Sequence, residues 1–308
     1  MSESAKVHVG PVAVPELQEA VLAGGAELAP AEEASGLVWF GAGPERLGEF
    51  DHPGIDWIQL PAAGIEDWLR SGVLRGDPTV TSATGTYADA VAEHALALML
   101  AGARQLQAHA RADRWQQSPE GLRTLFGATV GIVGAGGIGR ALMRLLEPFG
   151  VRVLAVNHSG RPVPGAARTS PADDLDGLDE LLTSSDHVVI AAPATASTTR
   201  LIDAAALDRM RSDARLINVA RGSLVDTGAL VTALAEGRIG GAALDVTEPE
   251  PLPDGHPLFS EPRALISSHC ANPRSLLVPA LARRVRENVG RYLAGEPLAG
   301  VINPATGY

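Results

Sequence analysis

The chain has 308 residues, 45% hydrophobic and 20% charged, with a formal net charge of −11 and a single cysteine. That length admits two domains of ordinary size, and the composition is globular rather than disordered, collagenous or disulfide-framed, with cysteine usage that fits a reducing compartment. The acidic balance, with Lys6 the only lysine, excludes the basic stripe of a nucleic-acid binder, and neither MSESAKVHVG nor AVAEHALALMLAGA (broken by Glu93 and His94) has the apolar run of a signal peptide or a membrane span, so a cytoplasmic protein without a membrane partner is expected.

In chain order, residues 1–90 form a region with Gly- and Pro-rich turns, and residues 90–112 read as a helix leading out of it. The β-branched run 129–133 suits a buried parallel strand. Residues 138–149 carry apolar side chains at helical spacing and stop at Pro148 and Gly150, and 151–156 restart a strand, completing a βαβ unit. Further strands are expected at 187–192, 215–219, 241–246 and 264–268. A helix between them starts at Asp226 or Thr227 and stops at Gly237. The acidic run DDLDGLDELL lacks the regular ligand spacing of a calcium loop and reads as a solvated helix start. A last amphipathic helix follows residue 273. This alternation predicts an α/β fold with parallel sheet.

Gly134, Gly136 and Gly139 make a GxGxxG pattern between the strand at 129–133 and the helix after it, with Gly137 and Ile138 opening the helix. The first glycine allows a tight turn, the second lets backbone approach a pyrophosphate, and the third lets helix pack on strand. At the end of the second strand, where an acidic residue would bond the ribose of NAD, the chain reads Asn157, His158, Ser159, Gly160, Arg161. Without a carboxylate to repel a 2′-phosphate, and with Arg161 able to bind one, NADP(H) is slightly favoured over NAD(H). The bland alternative is Arg161 on a surface loop with Asn157 bonding the ribose of NAD.

The segments GIVGAGGIG, NVARGSLVD, GAALDVTEPEPLPDGHPL and SSHCA stand in the order found in the D-isomer-specific 2-hydroxyacid dehydrogenases, which the chain resembles over roughly residues 60–295. The resemblance implies two doubly wound parallel-sheet domains, a Rossmann cofactor domain and a flavodoxin-like substrate domain, with the active site in the cleft. Residues 1–98 and 273–308 would form the discontinuous substrate domain and 99–272 the dinucleotide-binding domain. It implies an NAD(P)-dependent enzyme moving a hydride between the cofactor and a small 2-oxo acid or D-2-hydroxy acid, glyoxylate and hydroxypyruvate-like acids by default, in a homodimer. Three residues carry over. Arg221 would bind and polarise the substrate, His269 would be the general acid and base, and Glu250 would pair with His269 and tune it. The residue types suit the chemistry: arginine forks onto planar oxygens without acting as a base, and histidine exchanges protons near neutral pH. Asp245 would hold the nicotinamide amide, and Pro193 and Thr195 would line the cofactor. Ala63, Gly64 and Ile65 would offer backbone N–H groups to the substrate carboxylate, with Trp39, Phe40, Leu60 and Pro61 as pocket candidates. His94 and His256 read as packing residues, and Glu248 as a decoy beside Glu250.

Two positions depart from the family pattern: Ser268 stands where proline is common, and Cys270 where an aliphatic residue is. Adjacent strand residues point to opposite faces, so His269 and Cys270 are expected to be poor partners for each other. With no second cysteine, no metal is expected. Cys270 is expected to face away from the cleft. The rival reading is a non-catalytic NAD(H)-sensing binding protein of the same fold.

Overall fold

Every strand pairing in the two sheets of this protein is parallel. The computed structural model describes residues 5–50, 52–74, 78–115 and 121–302. Its contacts divide the chain into two units, Met1–Tyr87 with Asn272–Tyr308, and Ala88–Ala271. The ends of the expected substrate domain, 1–4 and 303–308, lie outside the described residues.

The first unit opens with β1 (Lys6–Pro11), α1 (Pro15–Ala23), β2 (Glu27–Leu28), β3 (Gly36–Phe40), β4 (Trp57–Gln59), α2 (Glu66–Ser71) and β5 (Thr79–Thr81). The sheet order is β2-β1-β3-β4-β5, a doubly wound arrangement. All five residues of β3 are buried, as a central parallel strand covered on both faces requires. Trp39 lies edge-on to Trp68 at 5.9 Å and to Phe50 at 5.4 Å within a core that includes Leu37, Ile58 and Leu60. Each such fully buried side chain contributes roughly 1.5–3 kcal/mol. β2, β4 and β5 have two or three residues each, too few to show alternation, which is why 1–90 read only as turns.

The second unit starts with α3 (Ala88–Ala103) and α4 (Leu106–Ala110), then β6 (Thr129–Val133), α5 (Gly137–Leu146), β7 (Arg152–Asn157), β8 (Arg168–Pro171), α6 (Leu175–Ser184), β9 (His187–Ile190), α7 (Ala204–Arg209), β10 (Arg215–Asn218), α8 (Thr227–Ala235), β11 (Gly241–Leu244), α9 (Pro257–Ser260) and β12 (Ala264–Ile266). The order β12-β11-β10-β9-β6-β7-β8 reverses direction between β6 and β9, which makes that pair the topological switch point. The helix expected over 90–112 breaks at Gln105, whose φ is 49°, and α3 packs along α5. The contacts therefore separate at 87/88, ahead of the 98/99 boundary expected from the sequence. Aspartates cap three helices: Asp174 accepts from Gly177 N, Asp203 from Ala206 N and Asp226 from Ala229 N, each worth about 1 kcal/mol. The acidic run is thus a capped helix start.

The chain returns to the first unit in α10 (Arg274–Ala294), which packs on α1. A buried polar chain fastens it to the sheet. Trp57 Nε1 donates to Thr81 Oγ1 at 2.9 Å, Thr81 donates to Gln59 Oε1 at 3.0 Å, and that oxygen accepts from Asn288 Nδ2 at 2.8 Å. Asn288 Oδ1 accepts from Ala299 N, so the asparagine is satisfied at both ends and costs little to bury. Among the described residues no helix is long and apolar enough to cross a membrane.

Candidate active site

The loops of the second unit that carry chemical side chains all leave the C-terminal ends of its strands, the edge where this architecture binds ligands. At the switch point, Gly134 has a φ of 100°, and a Cβ there would lie 2.4 Å from the backbone nitrogen of Ala192. Only glycine lets the loops after β6 and β9 come so close. A Cβ on Gly139 would meet the Gly134 carbonyl at 2.6 Å, while one on Gly136 would meet nothing within 4 Å. Gly136 therefore faces open space. It is also the N-cap of α5 and offers no side-chain cap, leaving the first N–H groups of the helix, from Gly137 onward, to an outside acceptor. Ile138 packs against the core. These residues fit a pyrophosphate. In the loop after β9, Thr198 bonds Pro193 O at 2.7 Å and Thr195 N at 2.8 Å, closing Pro193 and Thr195 into a compact turn.

β7 ends at Asn157, whose side chain organises the turn that follows. Its Oδ1 accepts from Ser159 N at 3.1 Å, its Nδ2 donates to Arg161 O at 2.9 Å, and Arg161 N donates to Ser159 Oγ at 3.3 Å. Gly160 takes a φ of 66° at the turn. His158 and the Arg161 side chain are exposed, with no hydrogen bond or ion pair from either side chain among the described residues. The turn presents neutral and positive groups and no carboxylate.

Arg221 follows β10 in extended conformation, and its Nη1 donates to Ala220 O at 2.7 Å. Asn218 holds this corner: its Nδ2 donates to Arg221 O and its Oδ1 accepts from Ala220 N. A Cβ on the next residue, Gly222, would lie 1.9 Å from Thr247 O, so glycine brings this corner against the loop after β11. That loop is fixed by Thr227, whose hydroxyl donates to Glu248 O at 2.6 Å. Glu250 emerges from it to meet His269, with Nδ1 to Oε1 at 2.6 Å, while Glu248 stays exposed. A carboxylate can only accept, so Nδ1 carries the proton and Nε2 is the ring atom left for other chemistry. The side chains are 53% and 42% exposed, so the pair is worth little to stability and more to ring orientation.

The strand expected over 264–268 stops at Ile266, and Ser268 and His269 take left-handed φ values of 52° and 54°. That corrects the expectation that His269 and Cys270 alternate across a strand. It also accounts for Ser268: the ring of proline holds φ near −65°, so proline cannot occupy this conformation. Two left-handed non-glycine residues cost about 1–2 kcal/mol each, and the hydrogen bond from His269 N to Asp245 O at 2.6 Å helps hold them.

Asp245 is buried, 3% exposed, in the loop after β11. Its Oδ1 accepts from Ser267 Oγ at 2.7 Å and Cys270 N at 2.8 Å, and its Oδ2 from Ala271 N at 3.2 Å. Because the Ser267 proton goes to Asp245, His94 Nε2 must donate to Ser267 Oγ at 2.9 Å. His94 Nε2 also lies 3.3 Å from Asp245 Oδ1. His94 thus does more than the packing its helical position suggests, and Ser267 joins it at the Asp245 carboxylate. Their partners are up to 173 positions away, and no local signal could reveal them. His256 caps α9 through Nδ1, accepting from Leu258 N, a structural role.

In the first unit, Ala63, Gly64 and Ile65 lie between β4 and α2, with Ile65 as the N-cap of α2. Ala62 O and Ala63 O accept from Ala83 N and Thr84 Oγ1. Trp39 and Leu60 are 0% exposed core residues, so neither can line a pocket as expected.

The family model described as D-isomer specific 2-hydroxyacid dehydrogenase, NAD binding domain, matches residues 95–271. A glyoxylate reductase of Thermofilum pendens is 36% identical over 261 residues, 81% of this chain and 72% of that protein. A D-isomer specific 2-hydroxyacid dehydrogenase from Xanthobacter autotrophicus, solved with NADPH and MES, matches with a TM-score of 0.83 at 28% identity over 99% of both chains. An NADPH-dependent glyoxylate/hydroxypyruvate reductase from Sinorhizobium meliloti, solved with NADP and sulfate, matches with a TM-score of 0.82 at 26% identity, covering 99% of this chain and 100% of that one. The fold and the glycine-loop site define an α/β oxidoreductase that uses a nicotinamide dinucleotide. The chain belongs to the D-isomer-specific 2-hydroxyacid dehydrogenase family.

Proposed function

We propose that this enzyme reduces small 2-oxo acids to D-2-hydroxy acids, with glyoxylate and hydroxypyruvate-like acids as first substrates and NADPH preferred over NADH. The observation that carries the reading is the Glu250–His269 pair at 2.6 Å on the strand edge that also holds the Gly134–Gly139 loop. The names of the relatives support the substrate class. When bound, the nicotinamide supplies or takes the hydride.

The chain's own residues do the rest. Gly136 and the first turn of α5 receive the pyrophosphate, and Asp245 holds the nicotinamide amide. Arg221 forks onto the carboxylate and carbonyl oxygens of the substrate and polarises the carbonyl. Glu250 fixes the His269 ring with Nδ1 protonated. His269 then gives the proton on Nε2 to the oxygen of the reduced carbonyl, and takes one back when a hydroxy acid is oxidised. Such proton transfer is typically worth ~10²–10⁴-fold in rate. The Asn157–Arg161 turn supports the NADPH preference, since its internal bonds present the exposed Arg161 guanidinium, one positive charge able to hydrogen-bond a 2′-phosphate, with no repelling carboxylate beside it.

Steady-state kinetics with NADPH and NADH over a panel of 2-oxo acids tests both parts. Turnover with at least one acid and a higher kcat/KM with NADPH are expected, and Asn157→Asp should move the ratio toward NADH. No turnover with any acid overturns the substrate class, and a higher kcat/KM with NADH overturns the cofactor preference.

A further inference from the structure

Cys270 is the one cysteine of the chain, is exposed, and stands where the family pattern has an aliphatic residue. It does not point into empty surroundings. Its Sγ, a ring nitrogen of His94 and a carboxylate oxygen of Asp245 all lie within 4.8 Å of one another. We infer that His94, Asp245 and Cys270 form a binding site for a thiophilic divalent cation of the zinc class, whose occupation blocks the nicotinamide end of the cofactor site. That blocking rests on the proposed role of Asp245 in holding the nicotinamide amide.

The donor set selects the metal. One thiolate, one imidazole and one carboxylate suit zinc, whereas calcium and magnesium demand oxygen ligands almost throughout. Three protein ligands leave a fourth tetrahedral position for water. Tetrahedral zinc with bonds of ~2.0–2.3 Å sets its ligand atoms roughly 3.3–3.7 Å apart. His94 Nε2 and Asp245 Oδ1 already stand at 3.3 Å. Cys270 Sγ lies within 4.8 Å of both atoms, so the exposed side chain must move in by about 1 Å to reach the spacing of a bound metal. Asp245 Oδ1 accepts from Ser267 Oγ and Cys270 N, and Oδ2 from Ala271 N, so coordination through Oδ1 requires the Ser267 hydroxyl to turn its proton away while the two backbone N–H groups still fix the carboxylate. Binding needs two protons to move. The Cys270 thiol releases its proton to solvent, and His94 transfers its ring proton from Nε2 to Nδ1, giving up the bond to Ser267. The elements that carry the set are firm: His94 on α3, Asp245 next to β11, and Cys270 three residues beyond Ser267, itself bonded to Leu244 O.

The single cysteine makes the site measurable, because every thiol signal reports Cys270. The intact chain, stripped with a chelator and free of nucleotide, is titrated with Co²⁺ and then Zn²⁺. A thiolate-to-cobalt charge-transfer band saturating at one cobalt per chain, displaced by zinc, is expected, and Cys270→Ser should abolish it. The same substitution should weaken zinc binding by more than the ~10–100-fold that loss of an outer-shell partner costs at metal sites, with turnover in metal-free buffer kept. Independently of any variant, zinc should slow alkylation of Cys270 by iodoacetamide in the wild-type chain. Absence of the band, a band unchanged in Cys270→Ser, or no protection from alkylation overturns the site. Zinc should also inhibit turnover competitively with NADPH. A cobalt band with inhibition not competitive with NADPH leaves the metal site standing and overturns the placement of the nicotinamide at Asp245.

Discussion

The two units carry parallel sheets of one kind and hold them by different means. In the first, three of the four tryptophans fill the space against the sheet, with Trp39 and Trp57 wholly buried. In the second, the core clusters hold no fully buried aromatic side chain, and the fourth tryptophan, Trp115, is 91% exposed. There, glycines at 134, 139 and 222 let backbone touch backbone at distances no Cβ would allow. Bulky packing stabilises a sheet while leaving its loops free to vary. Close backbone approach fixes loop positions to within tenths of an ångström, which a constellation such as Glu250–His269 requires.

That contrast can be broken on each side. The largest effect is expected from Trp57→Ala, which removes a wholly buried indole and its bond to Thr81 and should lower stability by about 3–5 kcal/mol in denaturant unfolding. A loss no greater than that of a surface substitution would show that aromatic filling does not hold the first unit.

Next comes a pH effect lodged in the second unit. His187 is buried at the start of β9, its Nδ1 lacks a hydrogen-bond partner, and burial, then the charge of Arg215, pushes its pKa down from 6.5 to about 4. Above pH 6.5 the ring is neutral in folded and unfolded chains alike and contributes nothing. As pH falls from 6.5 towards 4 the unfolded chain takes up a proton that the folded one refuses, so stability drops by about 3 kcal/mol across that window. His187→Leu should flatten this part of the stability profile, and an unchanged slope would place the effect elsewhere.

The smallest of the three is Gly134→Ala. Its Cβ would sit 2.4 Å from the Ala192 nitrogen at a positive φ, so roughly 1–3 kcal/mol of stability should be lost, together with NADPH affinity measured by fluorescence titration. Unchanged affinity would mean that the close approach at the switch point does not shape the cofactor loop.

The same contrast explains what was legible from the amino acids alone. The β6–α5–β7 unit announced itself because a continuous apolar run, helical spacing and three glycines are local signals. The first unit concealed its sheet because β2, β4 and β5 are two or three residues long and its order is set by packing against residues far along the chain, such as Asn288 on Gln59. Arg221, Glu250 and His269 could be named through the family motifs, and the structure joins Glu250 to His269 as a hydrogen-bonded pair. The surroundings of Asp245 could not be named. His94 sits in a helix whose spacing looks like ordinary packing, and Ser267 looks like a strand end; only the fold brings them together. The left-handed turn at Ser268 and His269 was equally hidden, since neither residue type demands it.

The central claim is that His269, held by Glu250, moves the proton. The direct measurement is kcat for reduction of a 2-oxo acid, with the Kd for NADPH measured alongside, in the wild type, His269→Ala and Glu250→Gln. A fall in kcat of ~10²–10⁴-fold for His269→Ala, a smaller fall for Glu250→Gln and an unchanged Kd in both are expected. Turnover by His269→Ala at the wild-type rate would contradict the assignment.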